Sequence, residues 1–266
     1  MDDDILLIER DGAVARLTMN RPAARNSLSL AMLERMYLAI TDLGADNAVH
    51  VIILAANGPG FCAGHDLKEI TAARSQADKG AAFFDDTMAR CARLMMAIVN
   101  CPKPVIAQVH GIATAAGCQL VASCDLAIAA DTARFATPGV NIGLFCSTPM
   151  VALSRNVSRK AAMEMLLTGD LLPAADACAI GLVNHVVAPD RLAAETAALA
   201  AKIASKAPAT LRIGKQAFYA QLEMPLPEAY RYCSDVMVQN MLAPDAHEGI
   251  NAFIEKRDPK WEPLSS

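Results

Sequence analysis

Residues 111–148 have the sequence GIATAAGCQLVASCDLAIAADTARFATPGVNIGLFCST. A turn of small residues at 110–117 leads into a short helix and then into a buried strand at 124–129. A second turn, rich in glycine and proline, follows the strand. A small-residue turn before a helix leaves backbone N–H groups unpaired at the positive end of the helix dipole. This layout predicts a place where a negatively charged or polarised oxygen binds.

Outward from this stretch, strands alternate with helices, which is typical of a mostly parallel sheet with crossover helices. The predicted strands lie at 5–9, 13–19, 50–56, 104–109 and 124–129, the first two joined by the hairpin signal Asp11-Gly12. The predicted helices of this part lie at 29–43, 66–74 and 80–99.

After about residue 150 helices predominate. They are predicted near 159–168, 173–179, 190–205, 208–222, 226–242 and 244–256, with one short strand at 182–187. The expected fold class is therefore α/β, with a core region over residues 1–200 and a helical C-terminal region over residues 201–266. The apolar side chains within 226–256 predict that this region serves in oligomerisation.

Composition excludes several classes of function. The net charge of −4 and the lack of a basic stripe argue against nucleic acid as a partner. The weakly polar run at 111–130 contains Gln119 and Asp125, which argues against a membrane span. The eight cysteines form no CxxC pair and no zinc-like spacing, so no metal site is expected. Reduced thiols and an acidic start without an export signal predict a cytoplasmic protein.

A second small-residue loop, FCAGHD at 61–66, also follows a buried strand and precedes a helix. Gly64 allows a sharp backbone path there. Two such loops at the carboxyl ends of neighbouring strands would aim two backbone donors at one oxygen, which is an oxyanion hole. Each donor contributes about 2.7–4 kcal/mol in a transition state. From the residues alone, the alternative that both loops are ordinary turns stays open.

Five segments together resemble the crotonase family, the enoyl-CoA hydratase/isomerase superfamily. They are NRPAARNSLS at 20–29, FCAGHDLKEI at 61–70, KPVIAQVHGIATAAGCQLVASCDLAIA at 103–129, FATPGVNIGL at 135–144 and EGINAFIEKRDPKW at 248–261. The resemblance implies a spiral ββα core, a helical trimerisation region and a homotrimer or dimer of trimers. It implies an acyl-CoA thioester as substrate or ligand and no further cofactor.

The resemblance also implies which residues form the site. The two oxyanion N–H groups fall on the backbones of His65 and Ala116. The other implied substrate-binding residues are Ala24, Arg25, Ala63, Gly64, Asp66, Leu67 and Lys68, with Phe253 and Lys256 contributed by the last helix of a neighbouring subunit.

Two departures from the family pattern change the expected chemistry. The glutamates that activate water in the family's hydratases fall on Gln119 and Gly139. Glutamine is neutral and takes up no proton, and glycine has no side chain. Since a positioned acid or base contributes about 10²- to 10⁴-fold, we expect hydration to be weak or absent. The chain is thus expected to represent a subgroup that lacks the two glutamates.

Other polar side chains near the loops leave alternatives open. The His65 ring would face solvent, cover the adenine or act in catalysis, whereas Asp66 is expected to cap the following helix. Asp125 is expected to be a structural carboxylate. Asn141 would bind substrate or stabilise its turn. The segment 146–148 is expected to line the pocket, because a thiol nucleophile at Cys146 would need a base.

The sequence is therefore compatible with three functional hypotheses. The first is an acyl-CoA enzyme that stabilises a thioester enolate, with isomerisation, decarboxylation or thioester hydrolysis as alternatives to hydration. The second is a non-catalytic acyl-CoA-binding or regulatory protein. The third is a scaffold trimer whose pocket is vestigial.

Overall fold

The computed structural model describes residues 5–262. Its strands are β1 (Leu6–Asp11), β2 (Val14–Met19), β3 (Val51–Ala56), β4 (Gly60–Cys62), β5 (Val105–Val109), β6 (Ile112–Thr114), β7 (Leu126–Ala130), β8 (Arg134–Ala136), β9 (Leu172–Pro173) and β10 (His185–Val187). Its helices are α1 (Leu30–Ala45), α2 (Leu67–Ala73), α3 (Ala81–Asn100), α4 (Ala116–Ser123), α5 (Pro149–Asn156), α6 (Arg159–Thr168), α7 (Ala174–Ala179), α8 (Leu192–Ala204), α9 (Pro208–Leu222), α10 (Leu226–Met241) and α11 (Pro244–Glu255).

The larger sheet has six strands in the order β1-β2-β3-β5-β7-β10. The pair β1 and β2 is an antiparallel hairpin, and the pairs from β2 to β10 are parallel. The run VIILAA of β3 is buried nearly throughout, as expected for a central strand covered on both faces. The predicted hairpin and the predicted parallel sheet are confirmed.

A second sheet has four strands in the order β4-β6-β8-β9. The chain passes from the first sheet to the second three times, from β3 to β4, from β5 to β6 and from β7 to β8, and helices return it. This is a ββα spiral, so the predicted α/β fold class is confirmed. The three-residue strands β4, β6 and β8 lie in segments that the sequence predicted as turns or the approach to one. They carry too few residues for a period-two pattern to show.

The hydrophobic core lies between the two sheets and helices α1, α3 and α4. Phe61 of β4 and Phe135 of β8 are fully buried in it, beside buried side chains of β2, β3 and β5. A second cluster on the other face of the large sheet packs Ala200 of α8 against Val51 and Ile106. The predicted region limit at residue 200 falls inside α8, so the packed core extends to the end of that helix.

The C-terminal helices join the core through α9. Lys215 of α9 donates to Asp125 Oδ2 at 2.7 Å and to the carbonyls of Ile98 and Lys103, each at 3.0 Å. Tyr219 donates to Asp125 Oδ1 at 2.9 Å. These bonds fasten α9 to the strand starts at the amino end of the large sheet, and they confirm that Asp125 is a structural carboxylate.

Beyond α9, helix α10 packs on α9 and α11 contacts α10. Both carry large apolar side chains on their surfaces, among them Leu226 of α10 and Phe253 of α11, which are 70% and 86% exposed. The outer limits of the two predicted regions, residues 1–4 and 263–266, lie outside the described residues. Among the helices described, none has the length and apolar character needed to cross a membrane.

Candidate functional site

The loops that follow β4 and β6 are in contact. The two strands are parallel neighbours, with Cys62 opposite Ala113. Counting three residues forward from each places His65 beside Ala116. A Cβ built on Gly64 would lie 3.0 Å from Ala115 Cβ and 3.4 Å from Ala116 N. The structure therefore brings together the two loops that were predicted to form an oxyanion hole.

The backbone N–H groups of His65 and Ala116 donate no hydrogen bond to any of residues 5–262. Groups beside them are paired: Leu28 N donates to Gly64 O at 2.8 Å, and Ala115 N donates to Ala136 O at 2.9 Å. Ala116 is the first residue of α4, so the hydrogen-bond ladder of the helix does not reach its N–H. Two unpaired donors on touching loops are what an oxygen-binding site requires.

The backbone of the second loop is strained at Ala115. This residue has φ 50° and ψ −119°, a conformation that favours glycine. Such strain costs about 1–3 kcal/mol and persists only where surrounding contacts impose it. Here Ala115 N donates to Ala136, and Ala115 O accepts from Gln119 N at 3.0 Å. The strained turn sets the direction of the peptide that carries the Ala116 N–H.

The segment 20–29 is fastened to the first loop. Ala63 N donates to Arg25 O at 3.0 Å, which places Arg25 and the neighbouring Ala24 against that loop. The buried Asn26 side chain donates to the carbonyls of Asn57 and Gly60 at 2.8 and 2.9 Å. The predicted binding residues of the two segments are thus adjacent. The sequence analysis did not identify Asn26, whose side-chain hydrogen bonds join the two segments.

Asp66 caps α2, as predicted. Its Oδ1 accepts from Lys68 N at 3.0 Å, and its Oδ2 accepts from Arg21 at 3.1 Å and from Ser27 at 3.2 Å. Burial raises the pKa of this carboxyl, but the bonds from Arg21, Lys68 and Ser27 outweigh burial and leave the pKa below its usual range. Asp66 is therefore ionised and fully engaged as a structural group.

The His65 residue is half-buried, and the polar atoms of its ring do not face solvent. Both ring nitrogens are buried, and neither makes a hydrogen bond of ordinary geometry. Burial lowers the pKa of the ring, and the nearby Leu28 carbonyl raises it by less. A pKa below 6.5 leaves the imidazole neutral at pH 7, with one nitrogen as donor and the other as acceptor.

Gln119 lies on α4 one turn after Ala116 and is 5% exposed. Residues three apart on a helix share a face, so its side chain lies on the same face of α4 as that of Ala116. Its Oε1 accepts from the Cys91 thiol at 3.8 Å, whereas its Nε2 donates no hydrogen bond to the part of the chain described. Gln119 thus offers N–H donors to a ligand and no acid or base.

Gly139 lies in a 3-10 helix, Pro138–Ile142, that follows β8. A Cβ built on Gly139 would lie 2.8 Å from Leu144 O and 2.9 Å from Cys146 Sγ. The space for a side chain at this position is occupied by the returning segment 144–146. The packing of the turn therefore leaves no room for a side chain at this position.

Thr137 is a residue of the site that sequence analysis missed. It directly follows β8, and since Thr114 pairs with Ala136, Thr137 lies beside Ala115. The residue is 1% exposed, and its hydroxyl is buried without a hydrogen-bond partner. Nothing in the sequence marks it except its position before Pro138, because the register between β6 and β8 is a tertiary feature.

The remaining predicted binding residues lie farther out. Leu67 and Lys68 form the exposed first turn of α2. Asn141 is exposed, and its Nδ2 lies 3.0 Å from the Cβ that Gly169 would carry, so it packs against the end of α6. Phe253 and Lys256 belong to α11 and the residue that ends it, and α11 packs mainly on α10. Their contact with a ligand stays a prediction.

The thiols near α4 are poor nucleophiles. Burial raises the pKa of Cys62, Cys91 and Cys118 to about 12 and raises that of Cys146 as well. A thiolate, not a thiol, attacks carbonyl groups, so these side chains act as apolar lining. No group of three or more His, Cys, Asp or Glu side chains within residues 5–262 is arranged to hold a metal ion.

Comparison with known proteins identifies relatives over nearly the whole chain. A family model described as enoyl-CoA hydratase/isomerase matches residues 9–263. Enoyl-CoA hydratase domain-containing protein 3, mitochondrial, of Xenopus laevis is 45% identical over 257 residues, covering 97% of this chain and 86% of the relative. The human protein of the same name is 47% identical over 248 residues, covering 93% and 80%.

Solved structures agree with the fold. The crystal structure of an enoyl-CoA hydratase from Mycobacterium smegmatis is 52% identical, has a TM-score of 0.92, and covers 97% of this chain and 98% of its own. The crystal structure of human enoyl-CoA hydratase domain-containing protein 3 is 46% identical with a TM-score of 0.92, covering 97% and 100%.

The prediction of a cytoplasmic protein is wrong on this comparison, because the vertebrate relatives are named as mitochondrial. Free thiols indicate only a reducing compartment and do not separate one such compartment from another. The match along residues 9–263, the similar solved structures and the two sheets joined by ββα repeats agree with one another. The chain belongs to the enoyl-CoA hydratase/isomerase family.

Proposed function

We propose that this protein binds an acyl-CoA thioester and stabilises a thioester enolate between the backbone N–H groups of His65 and Ala116. The observation that carries the proposal is the contact between the loops after β4 and β6, together with two amides that have no internal partner. Without a ligand, two unpaired amides would lower the stability of the fold, and unpaired backbone donors are accordingly rare in buried positions.

The CoA portion lies along the surface made by segments 20–29 and 63–68. Ala24, Arg25, Ala63 and Gly64 adjoin there, and Leu67 and Lys68 continue the surface outward. Arg25 is exposed, so its cationic side chain is accessible at this surface. Charged rim side chains of this kind suit the phosphates of CoA.

Efficient hydration of an enoyl thioester is not part of the proposal. Gln119 supplies neutral donors, and the place of a side chain at 139 is taken by Leu144 O and Cys146 Sγ. The reaction is therefore a different one of the family type. Isomerisation and decarboxylation would pass through the thioester enolate, whereas thioester hydrolysis would pass through a tetrahedral oxyanion at the carbonyl carbon, and the same two N–H groups would stabilise either oxygen. The filled space at Gly139 also favours a second candidate, a non-catalytic acyl-CoA-binding or regulatory protein.

We also propose that the core, residues 1–200, binds the ligand and that residues 201–266 assemble the protein as a homotrimer or a dimer of trimers. The apolar surfaces of α10 and α11, with Leu226 and Phe253 largely exposed, support this assignment. Exposed apolar groups on this scale are typical of a surface that another chain covers. Light scattering of the purified protein tests it, and a monomer would contradict it.

The test of the ligand compares butyryl-CoA with S-butyl-CoA, a thioether that lacks the carbonyl oxygen and is otherwise matched. Each hydrogen bond contributes about 0.5–1.5 kcal/mol net, so two bonds predict a preference for the thioester of roughly 5- to 150-fold by calorimetry. Equal affinities would refute the oxyanion hole, and no binding of either would refute the ligand class. Turnover of crotonyl-CoA above about 10 s⁻¹ would refute the statement on hydration.

A further inference from the structure

We propose that the imidazole ring of His65 is the base that removes a proton from C2 of the bound acyl group and the acid that returns it. The inference rests on the proposed function, because it places the thioester carbonyl on the backbone N–H groups of His65 and Ala116. It deepens that function by naming the group that forms the enolate. Neither Gln119 nor Gly139 supplies such a group, since one side chain is neutral and the other is absent.

The first observation is the direction of the His65 side chain. His65 and Leu28 lie opposite each other in a parallel β-bridge, so their side chains project from the same face. Leu28 is 1% exposed and belongs to the hydrophobic core that also contains Cys62 and Ala116. Both nitrogens of the His65 ring are buried. The ring therefore projects inward with Leu28, and not onto the outer surface where the CoA portion is proposed to lie.

The second observation is the short covalent path between the ring and the proposed oxyanion donor. Four bonds join the His65 backbone nitrogen to Nδ1 and five join it to Nε2, so both ring nitrogens lie within roughly 6 Å of the N–H group that would hold the thioester oxygen. C2 of the acyl group is two bonds from that oxygen. The ring is thus close enough to act on C2 directly or through one water.

The third observation is that neither ring nitrogen of His65 makes a hydrogen bond of ordinary geometry to the part of the chain described. A buried polar group without a partner destabilises a protein, since it has lost its bonds to water and gained none. The structural alternative is a bonded ring such as that of His50, whose Nδ1 lies 3.2 Å from Ala204 O. The free nitrogens of His65 are explained if one of them faces a reacting molecule.

The His65 ring is also in the protonation state that a base needs. Burial lowers its pKa below 6.5, and the Leu28 carbonyl raises the pKa by less. Neither of these two causes involves a charged group. At pH 7 the ring is therefore neutral, and one of its nitrogens carries a free lone pair.

The titratable side chains of the elements around the ring are cations, thiols or carboxylates with other partners. Burial raises the pKa of each thiol to about 12. Arg21 donates to one carboxylate at 3.1 Å, and Leu30 N donates to the other at 3.0 Å. None of these groups competes with the neutral ring as a base near pH 7. They are Arg21, Arg25, Cys62, Asp66, Lys68, Glu69, Cys91 and Cys118.

The proposed step is a reversible proton transfer. The free ring nitrogen takes the proton from C2, and the C2–H bond breaks. Its electron pair forms the C1–C2 double bond of the enolate, whose oxygen carries the negative charge between the two backbone N–H groups. The imidazolium then returns a proton to C2. If the imidazolium exchanges its proton with solvent first, the carbon acquires deuterium in D2O.

The test measures deuterium incorporation at C2 of but-3-enoyl-CoA in D2O by NMR, because the thioester and the double bond both acidify this position. For the unmodified protein we expect a rate constant that is level above pH 7. It should fall about tenfold for each pH unit below the pKa of the ring, since a protonated ring is no base.

Two results with the unmodified protein would overturn the inference. They are an exchange rate that does not fall in acid, and no exchange by a protein that still prefers butyryl-CoA to S-butyl-CoA. Either result would leave the proposed ligand standing. Loss of the preference for butyryl-CoA would instead overturn the proposed function itself.

Two variants locate the base. His65→Gln should slow exchange about 10²- to 10⁴-fold and remove the acid limb of the pH profile, with little change in the affinity for butyryl-CoA, because the backbone N–H is retained. His50→Gln is the matched control, since His50 is also half-buried but precedes β3 at the amino end of the large sheet. This variant should keep the rate and the profile. Exchange by His65→Gln at the unmodified rate would overturn the assignment to His65 and leave the enolate standing.

Discussion

Replacing Gly64 with alanine tests the contact on which the site depends. Gly64 has φ +93°, a conformation that residues with a Cβ rarely adopt. The added Cβ would lie 3.0 Å from Ala115 Cβ, 3.1 Å from Thr114 O and 3.4 Å from Ala116 N. The substitution therefore strains the first loop and pushes it away from the second.

The expected loss of stability has two parts. Positive φ at a residue with a Cβ costs about 1–2 kcal/mol. Overpacking against the second loop costs about 1–3 kcal/mol more. The free energy of unfolding should fall by about 2–5 kcal/mol in total. Gly12→Ala is the matched control, since Gly12 has φ +55° with no other atom within 4 Å of the new Cβ, so only the first part applies.

Urea unfolding of the two variants at one protein concentration measures the difference, which should be about 1–3 kcal/mol. Calorimetry with butyryl-CoA and S-butyl-CoA gives the second readout. Gly64→Ala should lose the preference for the thioester, because the two N–H donors no longer converge, and Gly12→Ala should keep it. If both variants lose equal stability and both keep the preference, the loops do not meet as described and the oxyanion hole is refuted.

Three further outcomes are expected. Gly139→Glu should lower the free energy of unfolding by about 1–3 kcal/mol and produce no gain in crotonyl-CoA hydration; a clear gain in rate would show that the turn opens readily. Lys215→Met should lower the free energy of unfolding by about 3–5 kcal/mol, because it leaves the buried Asp125 carboxylate without its cationic partner. The exposed Arg155→Met is the control and should change it by less than about 0.5 kcal/mol; equal effects would contradict the burial of the Lys215–Asp125 pair. Burial holds the pKa of His65 below 6.5, so the unfolded chain binds the proton more readily and the free energy of unfolding should fall as pH drops below 6.5. His65→Gln should flatten this pH dependence between pH 7.5 and 5.5, and an unchanged slope would contradict the assignment to His65.

The large sheet and the long helices could be predicted from the sequence. The runs of apolar residues in β3 and β5 are longer than those of a surface segment, so they indicate buried strands. Helices α3, α9 and α10 are long enough for their helical periodicity to be recognised in the sequence. The bounds of these five elements agree with the predictions within one or two residues. The second sheet could not be derived from periodicity. Strands such as 60–62 and 112–114 are specified by their partners, because three residues provide no repeating pattern.

The site divides in the same way. The small-residue turns and the neutral residues Gln119 and Gly139 are visible in the sequence, because they depend on which residue stands at one position. The sequence alone thus determined the fold class and the family resemblance, whereas the weakness of hydration stays a prediction. Only the tertiary structure decided that the two loops touch, that the space at Gly139 is filled and that the Thr137 hydroxyl has no partner. Each of these depends on the register between parallel strands far apart in the chain, and local sequence does not encode that register.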